Sequence, residues 1–258
     1  MPIKIKHLTW ILLALLLSSC EPEETQFCYP SIVRFSSASS GSTVSQFANY
    51  ILEDKRIDYI AFSETKHYYS YDASGRLKKI ERQDLNTYRS NESRLSYEED
   101  RMVRVDEYEM VLDFYTLEST DSTYTGRREL KYNKDLVTSE KVYMLNPDNQ
   151  EIELAYYKEY SYDDLGNLVS YTCFDREDGD TLEAYTYTYD IQSNPFNGLS
   201  MYFEGESYVN NRLEENNLLT DELTEYRIAY LPNGYPDQVL VYENSFLDMA
   251  IRYEYTCE

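Results

Sequence analysis

The chain has 258 residues, with 47 Asp and Glu against 24 Lys and Arg, for a formal charge of −23. A field of that sign repels phosphate backbones and anionic headgroups, which sets aside nucleic-acid binding. The length suffices for one large core, and 29 tyrosines beside 9 Phe, 8 Gly and 7 Pro favour many short strands, because tyrosine packs its ring on a pleated surface while its hydroxyl reaches water or backbone.

In chain order, Lys4 and Lys6 precede an apolar run from Trp10 to Leu17, which ends in Leu17-Ser18-Ser19-Cys20. A basic segment, a short apolar segment and small residues before a cysteine read as a lipoprotein processing box. The run is too short to span a bilayer. The expected division is a leader over residues 1–19, lipid on Cys20 as the link to a membrane, an acidic tether over 20–30, and one all-β domain over 31–258. Loss of the leader would take Lys4 and Lys6 with it and change the charge from −23 to −25. The alternative is an ordinary secretory signal in which Cys20 is incidental.

From residue 69 onward a unit recurs. Tyr69-Ser70-Tyr71-Asp72-Ala73-Ser74-Gly75-Arg76-Leu77 returns as Tyr160-Ser161-Tyr162-Asp163-Asp164-Leu165-Gly166-Asn167-Leu168. Looser copies centre on Tyr97, Tyr132, Tyr189, Tyr230 and Tyr255, so the reference tyrosines stand 25 to 41 residues apart. Asp after the strand closes a turn on its own backbone, Gly supplies a positive φ, and the next strand returns antiparallel. Asp178-Gly179 makes a similar turn. Stacked units on this scale predict an all-β fold: a long antiparallel meander of Tyr-rich hairpins, rolled into a barrel-like single sheet, with a two-sheet sandwich as second choice.

Period-two alternation assigns the faces. Tyr185, Tyr187 and Tyr189 share one side and Thr186 and Thr188 the other; Tyr226, Ile228 and Tyr230 are expected inward, as are Ile251, Tyr253 and Tyr255. The opposite positions are polar, which does not suit an outward face in lipid.

The Tyr-x-Tyr-Asp-x-x-Gly-Arg/Asn-Leu units resemble YD-type repeats, as in Rhs-like shells and in uncharacterised Bacteroidetes lipoproteins, over roughly residues 60 to 258. Glu21-Pro22-Glu23-Glu24 resembles the surface-export signal of Bacteroidetes lipoproteins. The resemblance implies a coiled or barrel-like antiparallel sheet, an outer-membrane lipoprotein exposed at the cell surface (periplasm-facing as second choice), and no catalytic residues to transfer.

Candidate sites are few. With Cys20 lipidated, Cys28, Cys173 and Cys257 remain; Cys28 and Cys257 lie near the two ends, and an exported chain permits a bridge between them. Three unbridged thiols are the alternative, and Cys173 is expected in the core. His67 is the only histidine after the leader and is expected on a strand surface. Asp175 to Asp180 is acidic but lacks calcium-loop spacing. No motif for a nucleophile, metal or cofactor is present, so no catalytic, metal or cofactor site is expected. Tyr68, Tyr115, Tyr202 and Tyr242 are expected to face water and could stack on a ligand ring. Asp121-Ser122-Thr123 and Asp180-Thr181-Leu182 resemble an O-glycosylation sequon of Bacteroidetes exported proteins. The expected role is a non-enzymatic binding or structural module with a glycan or protein partner; alternatives are a glycan-active protein and a periplasmic lipid or assembly factor with an apolar cavity.

Overall fold

The computed structural model describes residues 28–37, 45–53, 56–84, 86–113, 116, 119–176, 178–196 and 210–257. The leader, Cys20, Tyr115 and Tyr202 lie outside these residues. So does the tether up to residue 27, while residues 28–30 belong to the first strand.

Sixteen strands follow one another: β1 (Cys28–Ser37), β2 (Ser45–Glu53), β3 (Arg56–Ala61), β4 (Thr65–Tyr71), β5 (Leu77–Asp84), β6 (Arg89–Glu98), β7 (Arg101–Leu112) and β8 (Ser119–Asn133), then β9 (Leu136–Leu145), β10 (Ile152–Tyr162), β11 (Leu168–Asp175), β12 (Thr181–Ser193), β13 (Asn210–Asn217), β14 (Glu222–Tyr230), β15 (Pro236–Glu243) and β16 (Phe246–Cys257). Each pairs antiparallel with its neighbours in sequence, and β16 returns to pair with β1, closing one all-β barrel. The sequence expectation of a rolled single sheet describes this fold. Closure leaves no free sheet edges along most of the wall, which a meander of this length must otherwise protect. At the closing seam Cys28 opposes Cys257, and the two form a disulfide.

The turns of the repeat sit at one end of the barrel and share a geometry. Gly75 N donates to Asp72 O at 2.9 Å and Gly166 N to Asp163 O at 3.1 Å. Asp72 Oδ1 accepts from Ser74 N and Arg76 N, both at 2.9 Å; Asp163 Oδ1 accepts from Leu165 N at 2.9 Å and Asn167 N at 2.8 Å. Gly75 (φ 82°) and Gly166 (φ 91°) hold the left-handed position that this loop requires. Where the repeat lacks Gly the turn shortens: Glu98 pairs with Arg101 and Asn133 with Leu136, with Glu99 (φ 54°) and Lys134 (φ 56°) taking positive φ themselves.

The reference tyrosines act as stitches. Five of them, at or near the ends of even-numbered strands, donate a hydroxyl to the carbonyl at or next to the start of the preceding strand. Tyr71 reaches Ile57 O (2.9 Å), Tyr97 reaches Leu77 O (2.6 Å) and Tyr132 reaches Met102 O (2.7 Å). Tyr189 reaches Leu168 O and Tyr255 reaches Pro236 O, both at 2.7 Å. These bonds tie together the strand pairs that have no turn at this end. Tyr230 departs from the pattern and from the burial that its expected inward direction implies. It is 37% exposed with its hydroxyl on Asp190, and the β13–β14 ladder, which runs from Glu214–Glu225 to Asn217–Glu222, does not extend to it. At the β2 position Leu52 replaces the tyrosine, its register partner Ile57 corresponding to Leu77 opposite Tyr71. The β1–β2 pairing stops there at Ile32–Asn49.

Inward positions of the stitched half pack one apolar cluster that includes Val33, Tyr50, Ile60, Tyr69, Ile80, Val105, Leu130, Tyr160 and Leu168. Phe196, in the β12–β13 connection, reaches into it, with ring centroids 5.6 Å from Tyr50 and 6.2 Å from Tyr253. A round barrel of this strand number would leave an aqueous channel; here rings fill that half. Outward positions carry ion pairs: Lys79 with Glu81 (3.2 Å) and Glu92 (3.1 Å), Arg127 with Glu129 (2.8 Å), and Arg34 with Glu254 (2.7 Å). Arg94 lies 4.1 Å over Tyr108 and Arg127 4.3 Å over Tyr143 on the same outer side.

Candidate functional site

Above the aromatic floor, toward the end opposite the disulfide, the inward positions turn polar. Antiparallel register places Ser93 opposite Glu107, Glu107 opposite Gly126, and Arg128 opposite Val142 on one inner surface. A chain of contacts crosses six consecutive strands there. Arg82 on β5 donates to Ser93 Oγ on β6 (3.1 Å), and Ser93 Oγ donates to Glu107 on β7 (2.7 Å). Arg128 on β8 binds Glu107 at 2.5 Å and lies 3.7 Å from Glu140 on β9. Tyr160 on β10 donates to Glu140 at 2.7 Å. Glu140 is only 1% exposed, so its charge depends on these partners.

The belt continues round the lumen through aromatic and ionic contacts. Lys158 sits 5.9 Å from the ring of Tyr156 and 5.7 Å from that of Tyr171, and Tyr171 stacks on Tyr185 at 5.3 Å. Burial, together with the hydrogen-bonded Glu183 carboxylate, pushes the Tyr171 hydroxyl far up. Lower, at the level of the stitched floor, Arg212 lies 4.3 Å over Tyr187 and pairs with Glu215, which accepts from Tyr226 at 3.3 Å. His67, packed 4.9 Å from Phe62, has its pKa lowered to about 4 by burial and secondarily by Arg82. At neutral pH it is therefore an uncharged wall residue.

At the rim of this mouth is a cavity of about 570 Å³ lined by Arg82, Asn91, Glu107, Gly126, Arg128, Met144 and Tyr156, together with Tyr108, Arg127 and Tyr143 from the outer side of the wall. That volume lies within the roughly 300–1,000 Å³ range of ligand pockets. Gly126 keeps its floor flat, and its missing side chain is required: a Cβ there would stand 2.3 Å from Tyr143 O. A second cavity, about 170 Å³, lies between Phe196 and the β13–β16 wall, below that range. A third, about 470 Å³, occupies the wedge where β1 and β2 diverge, beside Tyr29, Tyr50 and Ile51.

The sequence-selected residues are dispersed. Tyr68 is half-buried on the outer wall of β4 against Tyr59 (5.9 Å), and Tyr242 is half-buried on β15 under Arg227 (4.1 Å). Five strand steps separate them, roughly 24 Å at the usual spacing; they do not form one stacking platform. Cys173 is buried. Asp178 spends its carboxylate on Asp180 N (3.0 Å) within the turn at Gly179. Among the described residues no three His, Cys, Asp or Glu side chains gather as metal ligands. The residues of the mouth were not singled out from the sequence, although parity held a signal: Ser93, Arg128 and Lys158 each stand four before a reference tyrosine and so share its inward side.

No protein-family profile matches the chain, and no curated protein shows significant similarity to it. Among solved structures, a porin-like protein from Bacteroides vulgatus is similar over 88% of this chain and 98% of its own, at 11% identity and a TM-score of 0.57. A porin-like protein from Bacteroides uniformis covers 89% and 96% at 14% identity, with a TM-score of 0.32. The TcdB2-TccC3-Cdc42 complex aligns with 83% of this chain over 13% of its own length, at 13% identity and a TM-score of 0.22. What the chain shares with the first of these is the all-β barrel fold.

Proposed function

We propose that this protein is a lipid-anchored protein of the bacterial outer membrane, displayed at the cell surface, that works as a non-enzymatic binding module through the polar mouth of its barrel. The observation that carries the binding reading is the two-storey lumen: stitched rings close one end, and a lined cavity opens at the other. Such a barrel is a receptacle rather than a channel. The porin-like protein from Bacteroides vulgatus shares the barrel, yet this wall carries paired charges such as Lys79–Glu92 and Arg127–Glu129 where a spanning barrel needs an apolar band. Attachment therefore falls to lipid on Cys20, as the Leu17-Ser18-Ser19-Cys20 box suggests.

The mouth supports binding over catalysis because its inward acids are committed. Glu107 is held by Ser93 and Arg128, and Glu140 by Tyr160. Guanidinium, amide and phenol groups around one cavity suit a hydroxyl-rich ligand, which favours a glycan over a purely structural role. Labelled palmitate should enter the wild-type chain and be absent from Cys20→Ala; label retained in that variant refutes the anchor. A glycan array probed with the protein should give hits that Arg82→Gln weakens. An array silent for the wild type removes the glycan reading.

A further inference from the structure

The mouth-end turns β11–β12, β13–β14 and β15–β16 lie side by side, and backbone bonds join them. Leu218 N donates to Ala184 O at 2.8 Å, and Asn244 N to Leu223 O at 2.9 Å. Along this arc large apolar side chains face water: Phe246 is 79% exposed, Leu218 52%, Leu219 51%, Leu182 47% and Leu247 41%. One such residue is ordinary, but these five all stand at the mouth end of three neighbouring hairpins, and none belongs to the apolar core. Asp180, Asp221, Glu222, Glu243 and Asp248 lie within three residues of them in the sequence. From Leu213 to Ile251 the sequence holds a single Lys or Arg, Arg227, and that guanidinium lies over Tyr242 and 3.7 Å from Glu225.

We propose that this acid-edged apolar arc docks a protein partner whose contact surface is an apolar ridge flanked by Lys or Arg. Charge complementarity selects that occupant. A second copy would set acid against acid, and an anionic lipid surface would be repelled. The arc stands at the opposite end of β16 from Cys257, 12 residues or about 40 Å along the strand. Its direction away from the membrane rests on the lipid-anchor reading; the patch itself does not.

The test is site-specific photo-crosslinking of the full-length chain in its own cells, with the photoreactive residue at position 246 and a wall control at exposed Lys131. The expected result is a protein adduct specific to position 246, with Lys or Arg in the crosslinked peptide of the partner. Leu219→Asp, and separately Glu243→Lys with Asp248→Lys, should each reduce the adduct about tenfold or more. Leu219 and Glu243 are exposed and Asp248 is half-buried, and matching thermal melts should show each variant folded. The proposal is overturned by no adduct above the Lys131 control, by an adduct with lipid or a second copy, or by an adduct that both variants leave intact. Failure of palmitate labelling would bear on the anchor alone, since the adduct does not require it.

Discussion

Replacing Cys28 and Cys257 together by serine tests how the barrel is held shut. The bond links residues 229 apart in sequence, at the end of the β1–β16 seam that completes the sheet. In the chain-entropy picture, a loop of that size removes about 18 cal/mol/K from the unfolded chain, or about 5 kcal/mol at 25 °C. Measured effects run lower, about 2–4 kcal/mol, because unfolded chains keep residual structure. The native barrel should survive the change: the other β1–β16 pairs, from Tyr29–Thr256 to Ser37–Met249, are backbone pairings that do not depend on the disulfide. Urea unfolding followed by far-ultraviolet circular dichroism is the assay. With a slope of about 2–3 kcal/mol/M for a chain of this size, the midpoint should fall by roughly 1–2 M. A midpoint unchanged at equal slope, in the double variant or in the reduced wild type, would refute the claim that this bond constrains the unfolded chain.

Other outcomes follow from the same structure. Tyr97→Phe and Tyr132→Phe each remove one hydroxyl bond to a strand carbonyl, and each should cost about 1 kcal/mol in urea unfolding; no loss in either would mean the stitches are incidental. Gly166→Ala, at φ 91°, should cost about 1–2 kcal/mol, whereas Ala73→Ser in the matching exposed turn should change little. His67 binds its proton less readily folded than unfolded, so its contribution is complete above about pH 6.5 and is lost as pH falls toward about 4. Because the ring is half-buried, solvent screening reduces the effect to about 1 kcal/mol. His67→Gln should flatten the stability profile across that window, and a profile identical to wild type would count against a buried neutral histidine.

Much of the wall was legible from local chemistry. Tyr71-Asp72 with Gly75, and Tyr162-Asp163 with Gly166, specify a turn through side-chain bonds spanning four residues, so no distant contact is needed to read them. Alternation in Tyr185-Thr186-Tyr187-Thr188-Tyr189 likewise names a buried and a wet side, and the structure buries Tyr187 while leaving Thr188 exposed. Tyr230 shows the limit of that rule: it keeps the alternation of Tyr226 and Ile228 yet is 37% exposed, because alternation does not show where the neighbouring ladder ends.

Local order alone thus determined strand content, the hairpin turns and most inward faces, because each depends on residues within one or two strands. Tertiary structure decided closure, the choice of barrel over sandwich, and the mouth. The β1–β16 pairing joins the two ends of the sheet, and nothing near Cys28 or Cys257 in sequence selects that partner. The contact chain from Arg82 through Glu107 and Arg128 to Tyr160 takes one residue from each of several strands. Such a set becomes a site only when curvature turns those strands toward a common axis.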